Sequence, residues 1–133
     1  MLVGNDTSNL PEAVLRLSKA VRFCAIIEKS GRVVASKRRK NSQLLVTNED
    51  SYRVALHAAM RHFTTPSWAT ELGQMYYHLG RYEKVIGATI PLSDRYLLLV
   101  SFDHDTNSFD RIIMQKIMPI VKKMFEREEE NNL

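Results

Sequence analysis

The chain has little of what usually marks chemistry or secretion. One cysteine in 133 residues excludes an internal disulfide. No apolar run approaches the roughly 20 residues that cross a bilayer, so no membrane span is expected. The opening stretch MLVGNDTSNLPE has no basic region followed by an apolar one, so it does not read as a secretory signal. These absences together predict a cytoplasmic protein in a reducing compartment. Gly31, Gly73, Gly80 and Gly87 are scattered, with no GxGxxG or GxxxxGK spacing, which argues against a phosphate cradle. No nucleophile–base pair or carboxylate dyad is evident. The expectation is a protein that is not an enzyme and carries no cofactor.

What the chain does have is an ordinary globular balance, 44% hydrophobic and 26% charged, with a net charge of +4 and a pI near 9.3. That suffices for a single domain over residues 1–133, with an ordered core at about residues 10–126 and polar tails at residues 1–9 and 127–133 that are expected to fray. The organising stretch is Met75–Phe102. Runs rich in β-branched and aromatic residues predict three antiparallel strands, roughly Gln74–Leu79, Val85–Leu92 and Arg95–Phe102. Turns at Gly80-Arg81-Tyr82-Glu83 and at Ser93-Asp94 separate them. Leu97–Val100 is apolar at every position. Such a strand is covered on both faces, so it belongs at the centre of a sheet with helices on each side.

Upstream, Leu10–Lys19 predicts a short helix with Ser8 or Asn9 as cap and Pro11 in its first turn. Val21–Glu28 and Val33–Lys37 predict a hairpin turned by Lys29-Ser30-Gly31-Arg32. A second helix starts at Thr47, with Asp50 three residues on. Its Tyr52, Ala55, Leu56, Ala59, Met60 and Phe63 predict a core-facing stripe at helical spacing. Thr65-Pro66 ends it. A last helix over Phe109–Glu126 is expected to be capped by Thr106 or Asn107 and to kink or restart at Pro119. The order is α-β-β-α-β-β-β-α. It predicts an α+β fold: a five-stranded antiparallel sheet with the middle helix on one face and the terminal helices on the other.

That order resembles the roadblock/dynein light chain family and its profilin-like and longin relatives. It is also similar to an archaeal family of the same pattern. The residues that carry the likeness are the hairpin Ala25–Ser36, AIIEKSGRVVAS, and the end of the meander, Pro91–Val100, PLSDRYLLLV. The resemblance implies a small non-enzymatic module, usually dimeric, that serves as a platform for small GTPases or larger assemblies. It carries over no individual contact residue.

Candidate sites follow from local chemistry. Lys37, Arg38, Arg39 and Lys40 form the densest cationic run and could bind a polyanion; no aromatic within the run offers a stacking surface for single strands. Arg53, His57 and Arg61 recur every four residues on the polar side of the second helix. Cys24, mid-strand, reads as a small buried hydrophobe. His57, His62, His78 and His104 include no i, i+4 pair, and no metal site is expected. The strand Gln74–Leu79 carries Met75, Tyr76, Tyr77 and Leu79 with no charge. At a sheet edge it needs a cover. Paired with Val54 and Ala58 of the second helix, it predicts a two-fold homodimer interface.

Three readings follow. The first is a dimeric interaction module, a scaffold or small-GTPase-associated regulator. The second is a PAS-like sensor holding a small molecule between sheet and middle helix. The third is a weak nucleic-acid binder using Lys37–Lys40. A buried polar pocket lined from Gln74–Leu79 would favour the sensor, and a filled core the scaffold.

Overall fold

The computed structural model describes residues 8–42 and 44–124. The elements are α1 (Leu10–Leu17), β1 (Val21–Glu28), β2 (Val33–Arg38), α2 (Asn48–Thr64), a single turn α3 (Ala69–Leu72), β3 (His78–Arg81), β4 (Val85–Pro91) and β5 (Tyr96–Asp103). The last helix, α4, begins as Phe109–Arg111, widens into a π-helical stretch over Ile112–Ile117 and resumes α geometry over residues 118–124. Of the expected tails at 1–9 and 127–133, residues 1–7 and 127–133 lie outside the described residues, as do the expected helix end at Phe125 and Glu126, and Gln43.

The sheet is antiparallel, in the order β2-β1-β5-β4-β3. β5 is central, as its unbroken apolar run requires. Its side chains alternate between two cores. Leu98, Val100 and Phe102 join Leu10 and Val14 of α1 and Ile112, Ile113 and Ile117 of α4. Leu97, with Ala25 and Ile27 of β1, meets Ala55, Ala58 and Ala59 of α2. The terminal helices thus share one face and α2 takes the other, the arrangement expected from the order of elements.

Several local expectations hold for physical reasons. Thr47 Oγ1 accepts the Asp50 backbone N–H at 3.1 Å, capping α2. The Thr64 and Thr65 hydroxyls bond back to Met60 O and Arg61 O at its other end. Gly31, at φ +93°, turns the β1–β2 hairpin, and the turn lies against α2: a Cβ there would stand 2.7 Å from Leu56 Cδ1 and 3.0 Å from Leu56 Cα. Pro119 is accommodated without leaving the helix. The N–H of Met118 reaches back to Ile113 O, a five-residue step, and this wider turn just before the proline eases the clash its ring would make in a regular helix.

Other expectations are corrected. The first meander strand is His78–Arg81, not Gln74–Leu79. Gly80 was expected in the turn but sits in the ladder opposite Gly87, while the Tyr82 ring reaches within 3.4 Å of where a Gly80 Cβ would be. The turn itself is shorter and closes with Tyr82 N–H to Val85 O at 2.9 Å. Neither Thr106 nor Asn107 caps α4. Ser108 holds that position without a side-chain bond, and Thr106 is buried in the preceding turn. The apolar stripe of α2 is also not all core. Ala55, Ala58 and Ala59 face the sheet, whereas Tyr52 (67% exposed), Leu56 (42%) and Met60 (54%) face out. The small side chains allow the helix to lie close to the strands, which turns the larger ones onto its flanks.

Leu98 is fully buried between β5 and the terminal helices. Leu98→Ala is expected to lower the unfolding free energy by about 2–5 kcal/mol in urea denaturation. Gly31→Ala is expected to lower it by about 1 kcal/mol or more, through both the positive φ and the contact with Leu56.

Candidate interaction surface

α2 crosses only one end of its sheet face, the end near Ile27 and Leu97. Beyond it the face stays open as a groove of about 2010 Å³. Its floor alternates along the strands: Phe23 and Ala25 of β1, Leu99 and Ser101 of β5, Gly87 and Thr89 of β4. Its walls are α2 on one side and β2 with the loop Leu44, Leu45 and Val46 on another. The small floor residues Gly87, Ser101 and Ala25 keep it open.

The four cations at the end of β2 divide by role. Arg39 turns inward. Its Nε donates to Val21 O at 2.7 Å, and one terminal nitrogen donates to Leu15 O at 2.5 Å and Ser18 O at 2.8 Å. It locks the end of β2 to the C-terminal turn of α1, a structural post that sequence reasoning missed. Lys37, Arg38 and Lys40 remain exposed; Arg38, opposite Phe23, lies on the groove face, whereas Lys37, opposite Cys24, leaves this edge strand from the other face. Arg22, also lining the groove, pairs with Asp103 at 3.5 Å. Arg61 lines it from α2. No aspartate or glutamate is among the described residues that line the groove. Arg53 points elsewhere and pairs with Glu49 and Asp50 of its own helix.

The residues expected at a dimer interface are not all on one surface. Val54, Tyr76 and Leu79 are exposed, and Met75 is half-buried. Ala58 is 1% exposed and packs on its own sheet. Tyr77 packs against the core on the side of the terminal helices. Its hydroxyl donates to Asp110 Oδ1 at 2.5 Å. That bond, with some desolvation, pushes the Tyr77 pKa up to about 12. Met75, Tyr76 and Tyr77 precede β3, which is an edge strand. The spacing of Ala55, Ala58 and Ala59 was the signal that α2 turns a small-residue face to the sheet and its large apolar side chains away.

Cys24 is fully buried, and burial pushes its thiol far up from the ordinary range, so it is held as the neutral thiol. Among the described residues no three histidine, cysteine or acidic side chains gather as metal ligands. The space between sheet and α2 is an open groove and not the enclosed pocket a small-molecule sensor needs. It is larger than the roughly 300–1,000 Å³ of such pockets, and of Gln74–Leu79 only His78 and Leu79 line it.

No protein-family model matches the chain, and no curated protein matches it. Solved structures do match in fold. The gliding protein MglB from Thermus thermophilus aligns over 96% of both chains at 18% identity, with a TM-score of 0.70. A structure described as MglB with tetrameric arrangement aligns over 96% of this chain and 90% of its own at 20% identity and TM-score 0.66. A roadblock/LC7 domain from Streptomyces avermitilis aligns over 90% of this chain and 95% of its own at 9% identity and TM-score 0.67. At these identities the likeness is one of fold, and the fold is that of the roadblock/LC7 domain.

One contact near this surface is sensitive to pH. His62 of α2 and His78 of β3 have ring centroids 6.4 Å apart, and His62 stands edge-on to Phe63 at 4.8 Å. The Lys29 ammonium lies over the other partner, 5.9 Å from the Phe63 ring centre. Burial, and secondarily the His78 charge, hold the His62 pKa below its ordinary 6.5. A depressed histidine stays neutral in the folded chain while its unfolded counterpart takes up a proton. This contribution is therefore complete above pH 6.5 and is lost as pH falls toward the lowered value, where the loss levels off. Urea midpoints measured from pH 7.5 to pH 5 are expected to fall for the wild type. They are expected to fall less for His62→Gln, and equal slopes would remove His62 as the cause.

Proposed function

We propose that residues 1–133 form a single roadblock-like domain that acts as a non-enzymatic interaction module, pairs with a second copy of itself, and serves as a scaffold or regulator associated with a small GTPase. The observation that carries the pairing is the exposure of large apolar side chains on α2, namely Tyr52, Val54, Leu56 and Met60, on the helix that also meets the edge strand β3 through the His62–His78 contact. Tyr76, just before the edge strand, and Leu79, within it, are exposed as well. Soluble chains seldom leave such a patch bare, and edge strands are usually covered. An isologous contact through β3 and the outward side of α2 would cover both and close on itself.

The edge is less bare of charge than the sequence suggested, because β3 includes Arg81. Arg81 reaches away along the chain to donate to His104 O at 3.4 Å, which supports leaving the edge open to a partner strand. The assembly named for the tetrameric MglB structure supports self-association in this fold. The small GTPase, or a larger assembly, is the partner class that the resemblance to the roadblock family implies. The Cys24 thiol is fully buried and held neutral, which removes it as an accessible nucleophile.

Sedimentation equilibrium at roughly 50 µM is expected to return twice the 15.3 kDa chain mass. Leu56→Asp combined with Leu79→Lys is expected to move it toward the monomer, with the far-ultraviolet circular dichroism unchanged. A wild-type monomer at that concentration would overturn the pairing, and an unaffected double variant would place it on another surface.

A further inference from the structure

We infer that the groove beside α2 is a docking site for an acidic amphipathic segment of a partner protein, a helix or extended stretch with one apolar face and carboxylates flanking it. Two independent properties of the groove specify this occupant. The accessible floor is mainly apolar, with Phe23, Leu99 and Gly87 beside the small polar Ser101 and Thr89, so it takes side chains such as leucine or phenylalanine over an open sheet surface. The rim carries charge of one sign. Arg38 and Lys40 stand at the end of β2 and Arg61 stands on α2, with Lys37 leaving the same edge strand from its other face, and among the described residues none of these four makes an ion pair.

The same pair of properties decides between occupants. A second copy of this chain would have to carry its own cations into the cationic rim in any two-fold contact through the groove, and like charges brought together oppose association. The proposed self-pairing uses β3 and the outward flank of α2; Tyr52, Val54 and Leu79 border both surfaces, whereas the cations at the end of β2, at the opposite edge of the sheet from β3, belong to the groove alone. A bilayer is flat and does not enter a concave face. A nucleic acid strand would meet the cations but has no apolar face to fill the floor, and charge alone is non-specific. A peptide with leucines at i, i+3, i+4 and i+7 and glutamates between them satisfies floor and rim together. Tyr52, exposed on the α2 wall beside Leu44 and Leu45, offers a phenol at the groove mouth that fits the boundary between the apolar and acidic faces.

The test uses the full chain and a fluorescein-labelled helical peptide of about five turns, with leucine at the stripe positions and glutamate elsewhere. Its controls are the same peptide with lysine for every glutamate, a single-stranded oligonucleotide of equal charge, and phosphatidylserine vesicles. Saturable anisotropy with the acidic peptide is expected, weakened at least about tenfold by Arg38→Glu with Lys40→Glu. Lys40→Glu, in the loop beyond the strand, is expected to weaken it in the same direction and covers the case in which the double variant does not fold. The lysine peptide is expected not to bind. Equal binding by the lysine peptide would reduce the groove to an apolar patch, and equal or tighter binding by the oligonucleotide or vesicles would reduce it to a cationic one. Either outcome, or failure of the acidic peptide to bind, overturns the inference. Sedimentation of the same samples separates it from the pairing. A dimer that dissociates on adding peptide would make the groove a self-association surface and also overturn it, whereas a monomer that binds the peptide would uphold it alone.

Discussion

Everything in this structure hangs on a central strand that is apolar on both sides. β5 is paired along both edges, with β1 and β4, and its alternate residues are buried in two separate cores. A strand with no polar face has no solvent side, so helices must lie above and below it. The hydrogen-bond ladder then dictates where the remaining strands go. β1 and β2 extend the sheet one way, β4 and β3 the other, and the outermost strands become the two edges. The edges, the groove and the cationic rim are consequences of that single buried strand.

The two cores are unequal. On one face α1 and α4 interlock through leucines, valines and isoleucines, and the π turn before Pro119 keeps α4 continuous across it. Arg39 adds a second tie by fastening the end of β2 to the backbone of α1. On the other face α2 is held by three alanines, by the Gly31 turn against Leu56, and by contacts around Phe63. Alanine contributes little buried area but permits close approach. The thick core supplies stability, and the thin one leaves surface over. That remainder consists of the outward flank of α2, with Tyr52, Leu56 and Met60, and the uncovered half of the sheet.

Much of this was legible in the chain. Alternation and length gave the number of strands and placed four of them, with the first meander strand set about four residues too early; the apolar run Leu97–Val100 placed the central one, and Thr47 with Asp50 marked the start of α2. Cys24 read as buried and is buried. These are local signals or follow from burial of a single segment. The errors came where two readings of one residue compete. Gly80 fits a turn as well as a strand, and only its cross-strand neighbour Gly87 and the Tyr82 ring decide between them. Helical spacing groups Tyr52, Leu56 and Met60 with Ala55 and Ala59, because a periodicity carries no absolute direction around the helix axis. Tyr77 looked like an edge residue, yet Asp110, 33 positions away, holds its hydroxyl.

The sequence alone therefore determined the class of the fold, the order of its elements and the identity of its central strand, since those depend on which segments must leave water. It also supplied the cationic run, because charge is written residue by residue. Only the tertiary structure decided which cation turns inward, which side of α2 meets the sheet, and that the charges on β2 border an apolar groove without a carboxylate. Each of these is a relation between segments brought together by packing. Arg39 turns inward because three carbonyls at the end of α1 and the start of β1 converge where its guanidinium reaches, and nothing within Lys37–Lys40 distinguishes it from its neighbours.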